Sequence, residues 1–338
     1  MREEAIREVM RLVNGDCAAQ AVAAATELGV PDALADGPRS AEALAEAVGA
    51  DADALYRLLR VLSGLGVLEE RDGRVFALTE RGDLLRAGVP GTLRGMALMM
   101  GAPWRRRAYS ELAECVRTGH SAFERLYGGY AYYRDDPEAG RVFDEAMADS
   151  STVFMEPLVR GYDFTPFRTI VDVGGGQGRL LAAALAAHPE GRGVLFDLPR
   201  VVAGAGEALE RAGVAGRCEL VGGDFLSAVP DGGDVYLLAN ILHNWDDEHA
   251  ARILANCAAA MRPDGRVLLV EGIMPERCDR PVSVTFIDLE MLVMHEGGRQ
   301  RTAGELDGLL RGAGLRLAGV RPGEPYSLLE ATAGRTGR

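Results

Sequence analysis

The pattern of apolar and polar positions changes character near the middle of the chain. From about residue 168 onward, short apolar runs of strand length alternate with helical stretches. This alternation is typical of an α/β fold with a doubly wound parallel sheet, because parallel neighbours are joined through helical crossovers. The predicted strands are 169–173, 193–196, 219–221, 235–239 and 267–270, and the predicted helices are 178–187, 199–212 and 247–261.

A second pattern, between residues 40 and 85, predicts a winged helix-turn-helix. Ser40 is a good N-cap for a first helix. Four leucines at positions 55, 58, 59 and 62 share one face of a second helix. A turn at Asp72-Gly73 then separates two short strand-like runs, which predicts a β-hairpin wing.

The length of 338 residues allows two domains, each with its own core. We expect a winged-helix-like domain over residues 1–100 and a Rossmann-like domain over residues 101–338. The helical segment 101–160 holds nine of the twenty aromatic residues, between Trp104 and Phe154. Ordinary helix packing would explain this crowding, but the crowding also suits the wall of an apolar pocket for a flat ligand.

A winged helix can bind DNA or mediate dimerisation, and the charges here favour dimerisation. Residues 32–86 contain eleven acidic and seven basic side chains, and the second helix offers only Arg57 and Arg60 to a DNA groove. The formal net charge of −13 also disfavours nucleic acid as a partner. The alanine-rich stretch 17–28 would suit a close-packed helical interface.

Further features of the composition bear on location and metal content. The chain lacks an apolar run of membrane-spanning length, and its charged N-terminus lacks a signal-peptide core. We therefore expect a cytoplasmic protein that does not enter a membrane. Five cysteines lie at long spacings without a CxxC pair, so neither a disulfide framework nor a metal site is expected.

The strongest single motif is Asp172-Val173-Gly174-Gly175-Gly176-Gln177-Gly178, between a predicted strand and a predicted helix. Glycines there allow a sharp turn and a close approach to a nucleoside-type cofactor. The spacing differs from that of dinucleotide binders, which would need a glycine at Arg179. Asp172 disfavours a pyrophosphate and suits a cationic ligand. Glycines in α/β turns also serve packing, so the loop alone does not decide between the two.

Acidic residues follow the next two strands. Asp197 ends the second strand, where a carboxylate can accept hydrogen bonds from ribose hydroxyls. Asp224 ends the third strand and could bind an adenine amino group, with Phe225 against the ring face. Each acid alone could be a helix cap or a solvated loop residue. Because ligands of such sheets bind beyond the carboxyl ends of the strands, the acids in register favour a cofactor site.

His243 follows the fourth strand and therefore lies at the same end of the sheet. A neutral imidazole near this edge suits a general base. The alternative is a surface histidine that caps the following helix. The position beside the predicted cofactor site favours the base.

The combined motifs resemble the plant-type O-methyltransferase family, especially its bacterial members in aromatic polyketide and related natural-product pathways. The resemblance covers nearly the whole chain, including the winged helix. Besides the glycine loop, the matching motifs are Phe196-Asp197-Leu198-Pro199, Gly223-Asp224-Phe225-Leu226, Ile241-Leu242-His243-Asn244-Trp245-Asp246-Asp247 and Gly297-Gly298-Arg299-Gln300-Arg301-Thr302.

The resemblance implies a class I methyltransferase fold with an N-terminal dimerisation domain. It implies S-adenosylmethionine as cofactor, S-adenosylhomocysteine as product and a homodimer that methylates a hydroxyl, expected to be phenolic, of a small aromatic molecule. It makes His243 the catalytic base and Glu271 the acid that orients it. The predicted cofactor contacts are Phe143, Met147, Ser151, Gly174, Gly176, Asp197, Leu198, Asp224, Phe225 and Asn240, and the predicted acceptor contacts are Trp104, Met147, Asn244, Met291 and His295.

One position departs from the family pattern. Where the late motif usually has a second acid, this chain has Gln300. We expect Gln300 to belong to the catalytic group, but an amide cannot stabilise an imidazolium by charge, so base catalysis should be weaker. Two alternatives stay open: a family relative with hydroxylating, decarboxylating or pericyclic chemistry, and a winged-helix regulator that senses a ligand.

Overall fold

The computed structural model describes residues 1–278 and 282–334 and contains two compact units. Unit 1 consists of Met1–Ser110 and Tyr130–Ser150, and unit 2 consists of Glu111–Gly129 and Ser151–Arg338. The division predicted at residue 100 differs from these units, because the helices within Tyr130–Ser150 pack in unit 1.

Unit 1 is mainly helical, with a three-stranded antiparallel sheet in the order β1–β3–β2. Helices α9 (Leu112–Thr118) and α10 (Ala122–Tyr127), which lie between its two segments in the sequence, belong to unit 2. The helices of unit 1 are α1 (Arg2–Val13), α2 (Gly15–Glu27), α3 (Val30–Ala33), α4 (Ala41–Val48), α5 (Ala52–Gly64), α6 (Glu80–Asp83), α7 (Arg94–Gly101), α8 (Pro103–Tyr109), α11 (Ala131–Asp135) and α12 (Pro137–Ser150), and its strands are β1 (Arg39–Ser40), β2 (Leu68–Arg71) and β3 (Val75–Leu78).

The winged-helix elements form where the sequence predicts them. The Ser40 hydroxyl accepts the Ala43 N–H at 3.2 Å and so caps the start of α4. The apolar face of α5 is buried, with Leu59 and Leu62 fully inside the core. Gly73, at a φ of +75°, turns the chain between β2 and β3. The predicted pair of helices and the hairpin are therefore confirmed.

Close packing between α7 and α12 holds Tyr130–Ser150 in unit 1. Gly95 approaches α12 so closely that a Cβ there would lie 2.5 Å from the backbone carbon of Glu145. The Gly95 N–H donates to the Asp149 carboxylate at 2.7 Å, and Arg94 forms an ion pair with Glu145 at 2.6 Å. A side chain at position 95 would separate the two helices.

Unit 2 is built on a seven-stranded sheet in the order β11–β12–β8–β7–β4–β5–β6. A π-helical turn (Ser151–Met155) and 3₁₀ turns (Ala215–Arg217 and Leu242–Asn244) interrupt its regular elements. The helices are α9 (Leu112–Thr118), α10 (Ala122–Tyr127), α13 (Glu156–Arg160), α14 (Arg179–Ala187), α15 (Pro199–Val202), α16 (Gly206–Arg211), α17 (Asp247–Ala260), α18 (Ser283–Met294) and α19 (Ala303–Gly312), and the strands are β4 (Thr169–Val173), β5 (Arg192–Asp197), β6 (Cys218–Gly222), β7 (Val235–Ala239), β8 (Arg266–Glu271), β9 (Ile273–Met274), β10 (Arg301–Thr302), β11 (Leu315–Arg321) and β12 (Ser327–Ala333).

The five predicted strands are confirmed as β4 to β8, and they pair in parallel. The sheet as a whole is mixed, because β12 runs antiparallel to β8 and β11 antiparallel to β12. No strand was predicted there, and β11 and β12 follow one another as a hairpin without a helical crossover. The predicted helix 199–212 is two helices, α15 and α16.

The parallel strands place the predicted site residues along one edge. The interiors of β4, β7 and β8 are buried on both faces, which fixes the register of these central strands, while β5 and the more exposed edge strand β6 pair in register beside β4. Their carboxyl ends therefore meet at a common edge of the sheet, where ligands bind in such folds. None of the helices in the described part of the chain combines the length and apolarity needed to cross a membrane.

We predict that Gly95→Ala lowers the thermal midpoint of unit 1 by several degrees. The added Cβ meets backbone atoms of α12, which cannot move aside without separating the helices, and overpacking of this kind costs about 1–3 kcal/mol. Gly308→Ala is the matched control, because an added Cβ there has no neighbour within 4 Å and alanine favours the exposed helix. Calorimetry of both variants measures the effect. Equal midpoints for the two would contradict the prediction.

Candidate active site

The glycine loop after β4 has two residues with positive φ, one of which is also closely packed. Gly174 has a φ of +69°, and a Cβ there would lie 2.5 Å from Cδ1 of Ile241. Its N–H donates to the Phe196 carbonyl at 2.8 Å. Gly176, at a φ of +58°, has open space where a Cβ would point. The loop therefore presents bare backbone at the edge of the sheet, as a closely bound nucleoside requires.

Asp197, at the end of β5, ties this loop to the next strand. Its carboxylate accepts the N–H of Gly176 at 2.9 Å and of Leu198 at 2.7 Å. The backbone carbonyl of Asp197 also accepts the Gly223 N–H at 2.9 Å. The predicted ribose-binding acid is thus at the predicted place, held against the glycine loop.

Asp224 and Phe225 follow β6 at the same edge. One carboxylate oxygen of Asp224 accepts the Leu226 N–H at 2.9 Å, and the side chain is exposed. The Phe225 carbonyl accepts from the Asn256 amide at 2.8 Å, and its ring meets Trp245 edge-to-face at 5.9 Å. Phe225 is therefore a fixed, partly exposed aromatic surface beside an acid.

Two acceptor oxygens at this edge are buried and have no hydrogen-bond partner among the described residues. Asp172 is 2% exposed, and its Oδ2 has no hydrogen-bond partner among the described residues. Burial and the neighbouring charge of Asp197 raise the pKa of Asp172 to about 7. Asn240 has a φ of +53°, which is strained for a side-chain-bearing residue, and its Oδ1 also lacks a partner in residues 1–278 and 282–334. Such oxygens fit a cationic ligand that carries hydrogen-bond donors.

His243 lies in the 3₁₀ turn that follows β7 and is 7% exposed. Its Nδ1 is 2.7 Å from Nε2 of Gln300 and 3.7 Å from Oε2 of Glu271. Burial, together with the nearby His295 and Arg301, lowers the pKa of His243 to about 3. The imidazole is therefore neutral at physiological pH.

Glu271, at the end of β8, positions this turn through the backbone. Its Oε1 accepts the N–H of Ile241 at 3.0 Å and of Leu242 at 2.7 Å. Burial raises the pKa of Glu271 to about 7, against the lowering effect of these hydrogen bonds and of Arg301. The direct partner of the imidazole is Gln300, and Glu271 acts on His243 chiefly by fixing the turn that carries it.

Gln300 precedes β10, which pairs with β9 in parallel. Its backbone N–H donates to the Asp288 carboxylate of α18 at 2.7 Å. The side chain is buried, and its Oε1 has no partner within the described residues. The backbone hydrogen bond to α18 therefore positions Gln300 so that its side-chain amide lies against His243.

Two family models match this chain in consecutive segments. Residues 10–88 match the O-methyltransferase dimerisation domain, and residues 109–316 match the O-methyltransferase domain. The chain belongs to the O-methyltransferase family. S-adenosylmethionine is its methyl donor and a hydroxyl group its acceptor.

Individual relatives of this methyltransferase match it from end to end. A phenazine O-methyltransferase of Lysobacter antibioticus is 40% identical over 96% of this chain and 95% of the relative. A phenazine-1-carboxylate N-methyltransferase of Pseudomonas aeruginosa is 38% identical over 93% and 92%. The crystal structure of a methyltransferase in calicheamicin biosynthesis, with S-adenosylhomocysteine bound, superposes with a TM-score of 0.88 at 37% identity, covering 99% of each chain. These relatives do not favour a regulator or non-methylating chemistry.

Arg301 is a residue of the methyltransferase site that the sequence analysis missed. Its side chain is 1% exposed, and its guanidinium donates to the carbonyls of Leu242 at 2.8 Å and Trp245 at 2.7 Å. It also forms an ion pair with Asp247 at 2.9 Å. Arg301 thus fixes the carbonyl side of the His243 turn. Its position next to Gln300 in the late motif was the available signal.

The remaining predicted residues of unit 2 surround this turn or precede the sheet. Met291 is buried in α18, and burial lowers the pKa of His295, just after α18, to about 4. The Asn244 amide donates to the Asn240 carbonyl at 3.0 Å. Ser151 begins the π-helical turn. The structure places these residues without testing their predicted ligand contacts.

Three predicted site residues lie in unit 1, within an aromatic cluster. Phe143 of α12 stacks on Tyr133 with ring centroids 4.3 Å apart, and Trp104 of α8 meets Tyr133 at 5.3 Å. Met147 is half-buried on α12. The cluster confirms the aromatic crowding, and the cofactor and acceptor contacts of Trp104, Phe143 and Met147 stay predictions.

We predict that Glu271→Gln stabilises the methyltransferase more at pH 8 than at pH 5. Because the folded-state pKa of Glu271 is raised from 4.5 to about 7, its contribution to stability is full below pH 4.5 and is lost as the pH rises through 7. Glutamine stays neutral and can still accept both backbone N–H groups. The difference in Tm between variant and wild type should therefore be larger at pH 8 than at pH 5, by about 2–4 °C for each kcal/mol of stability that the wild type loses over this range.

The matched control for this experiment is Glu305→Gln. The backbone and side-chain hydrogen bonds of Thr302 and Arg299 lower the pKa of Glu305, so this carboxylate is ionised at both pH values. Its substitution should shift Tm equally at pH 5 and pH 8. A constant difference for Glu271→Gln as well would show that burial does not raise the pKa of Glu271.

Proposed function

We propose that this enzyme methylates a phenolic hydroxyl of a small aromatic natural-product intermediate, with His243 as the base. The observation that carries the proposal is the buried, neutral imidazole whose Nδ1 is held by Gln300 at 2.7 Å. It follows β7 at the same edge of the sheet as the glycine loop. The phenazine methyltransferases among its relatives are named for flat aromatic acceptors, which supports an aromatic acceptor here.

The edge of the sheet offers a matching set of groups for S-adenosylmethionine, which supplies a methyl group on a positively charged sulfur. Asp172 and Asn240 present buried oxygens, without partners among the described residues, that fit the positively charged amino group of its amino acid end. Asp197 would bind the ribose, and Asp224 with Phe225 would bind the adenine. The further proposed cofactor contacts are Gly174, Gly176, Leu198, Phe143, Met147 and Ser151, and the proposed acceptor contacts are Trp104, Met147, Asn244, Met291 and His295.

His243 would take the hydroxyl proton on Nε2, which requires that Nδ1 carry the ring hydrogen and donate it to the amide oxygen of Gln300, with the amide turned so that Oε1 faces the ring. An ordinary phenol has a pKa of about 10, so little phenolate exists at neutral pH and a base speeds the reaction. Glu271 and Arg301 hold the turn from its two sides and keep the imidazole in place. Alignment of the hydroxyl with the methyl group should supply much of the rate, since orientation can contribute roughly 7–11 kcal/mol.

We predict that His243→Ala lowers kcat by about 10²–10⁴-fold, the range for loss of a positioned base. The assay measures transfer of labelled methyl to a panel of hydroxylated phenazines and naphthoates. Calorimetric titration should show unchanged affinity for S-adenosylmethionine, because His243 acts on the acceptor. His249→Ala is the control, since this half-exposed histidine lies on α17 and pairs with Asp246. Near-normal turnover of His243→Ala would exclude His243 as the base.

We further propose a homodimer in which the partner subunit covers α1. This helix has no buried residue, and Ile6, Val9, Leu12 and Val13 are each 56–68% exposed. A continuous apolar stripe of this kind marks an interaction surface. The match to the O-methyltransferase dimerisation domain, which begins at residue 10 within α1, supports a second copy of the chain as the occupant.

The double variant Val9→Glu with Val13→Glu should convert the dimer to monomers, because it places two charges in the apolar stripe. Sedimentation equilibrium at micromolar concentration should give twice the 36.0 kDa chain mass for the wild type and a single chain mass for the variant. The control Arg7→Gln with Arg11→Gln makes the same change in net charge on the polar side of α1. A monomeric wild type, or a dimeric Val9/Val13 variant, would refute this interface.

A further inference from the structure

Within the described residues, no carboxylate oxygen forms a hydrogen bond to the imidazole of His243. The Oε1 of Glu271 is occupied by the backbone N–H groups of Ile241 and Leu242. Its Oε2 lies 3.7 Å from Nδ1 of His243, beyond hydrogen-bond distance. The nearest acid therefore holds the turn with one oxygen, and its other oxygen faces the ring without a hydrogen bond. Burial raises the pKa of this acid to about 7, which limits the negative charge it offers the ring.

The group in direct contact with Nδ1 is neutral. Gln300 Nε2 lies 2.7 Å from Nδ1, and the amide is buried. Whichever end of the amide faces the ring, it carries no charge that could stabilise an imidazolium. A glutamate at this position would place a carboxylate at the same distance.

The other charged groups around the ring come from β10, α17 and α18. Arg301, on β10, opposes a positive imidazole, and so does His295 when charged. Asp247, on α17, is paired with Arg301 and Arg299. Asp288, on α18, binds the backbone N–H of Gln300. Burial adds to these effects and lowers the pKa of His243 to about 3, which makes the imidazole a weak base.

We infer that Gln300 restricts this methyltransferase to acidic hydroxyls, such as hydroxyquinones and phenols conjugated to a carbonyl or a ring nitrogen. The inference rests on the proposed function, in which His243 contacts the reacting hydroxyl. During transfer the O–H proton moves to Nε2 of His243 and an oxygen pair bonds to the methyl carbon. The carbon–sulfur pair returns to sulfur, which leaves a methyl ether and a neutral thioether, and the imidazolium later releases its proton to water. An acidic hydroxyl reaches this state with a weak base, whereas an ordinary phenol needs a strong one.

The test compares wild type and Gln300→Glu with two acceptors of similar shape, 2-hydroxy-1,4-naphthoquinone and 2-naphthol. Wild-type kcat/KM should be at least about tenfold higher for the acidic hydroxyquinone, because base strength limits the naphthol. In Gln300→Glu, kcat for the naphthol should rise by about tenfold while the hydroxyquinone changes by less than about threefold. The acid limb of the naphthol pH profile should shift to higher pH, because a carboxylate beside the ring raises the pKa of His243. Ala259→Glu, at an exposed position of α17, controls for the added charge.

A series of ring-substituted naphthols keeps the inference testable on the wild type alone. The kcat/KM of the wild type for these naphthols, measured at one fixed pH, should rise with the acidity of the hydroxyl. Equal values across the series, or a parallel loss for both acceptors in Gln300→Glu, would overturn the inference while leaving the methyl transfer intact. Failure to methylate any hydroxyl of either class, with S-adenosylmethionine still bound, would instead contradict the proposed function and the inference with it.

Discussion

The site depends on how the buried carboxylate of Glu271 holds the turn after β7. Two backbone N–H groups of this turn point to one carboxylate oxygen, and two of its carbonyls point to Arg301. Buried backbone polar groups must be paired, so the two side chains leave the turn one stable conformation. The imidazole of His243 is thereby fixed before any ligand binds, as positioned base catalysis requires.

The opposite arrangement holds at the cofactor edge, where polar groups are kept unpaired. Asp172 and Asn240 each have a buried oxygen without a partner in the described chain, and Asn240 also has a strained backbone. Such features persist only where the surrounding structure enforces them, and they concentrate at ligand sites. The parallel sheet enforces them here, because its buried strands cannot shift register to relieve the strain.

The neutral amide of Gln300 relates the strength of the base at His243 to the alignment of the methyl donor and the acceptor. A site that orients the acceptor and donor well gains rate from alignment and requires less from its base. The family accommodates such variation, since a relative at 38% identity is named as an N-methyltransferase. A neutral nitrogen acceptor can attack the methyl group without first losing a proton, so transfer to it depends less on a strong base. A weak base is thus compatible with the fold and shifts the choice of acceptor.

The sequence by itself determined the five parallel strands, the glycine loop and the placement of Asp197, Asp224 and His243 at one edge. Local periodicity fixes such features, because burial of one strand face or both is visible in the residues themselves. Its motifs also indicated the family. The roles of Trp104 and of the other predicted ligand contacts stay predictions.

Only the tertiary structure decided which groups become partners. It showed that Glu271 binds backbone N–H groups while Gln300 contacts the ring, and that Arg301 completes the turn. It also showed that one carboxylate oxygen of Asp172 has no partner among the described residues. It also placed Tyr130–Ser150 in unit 1 through Gly95. These outcomes depend on differences of a few tenths of an ångström in the distances between segments far apart in the chain. Periodicity and spacing do not encode such differences.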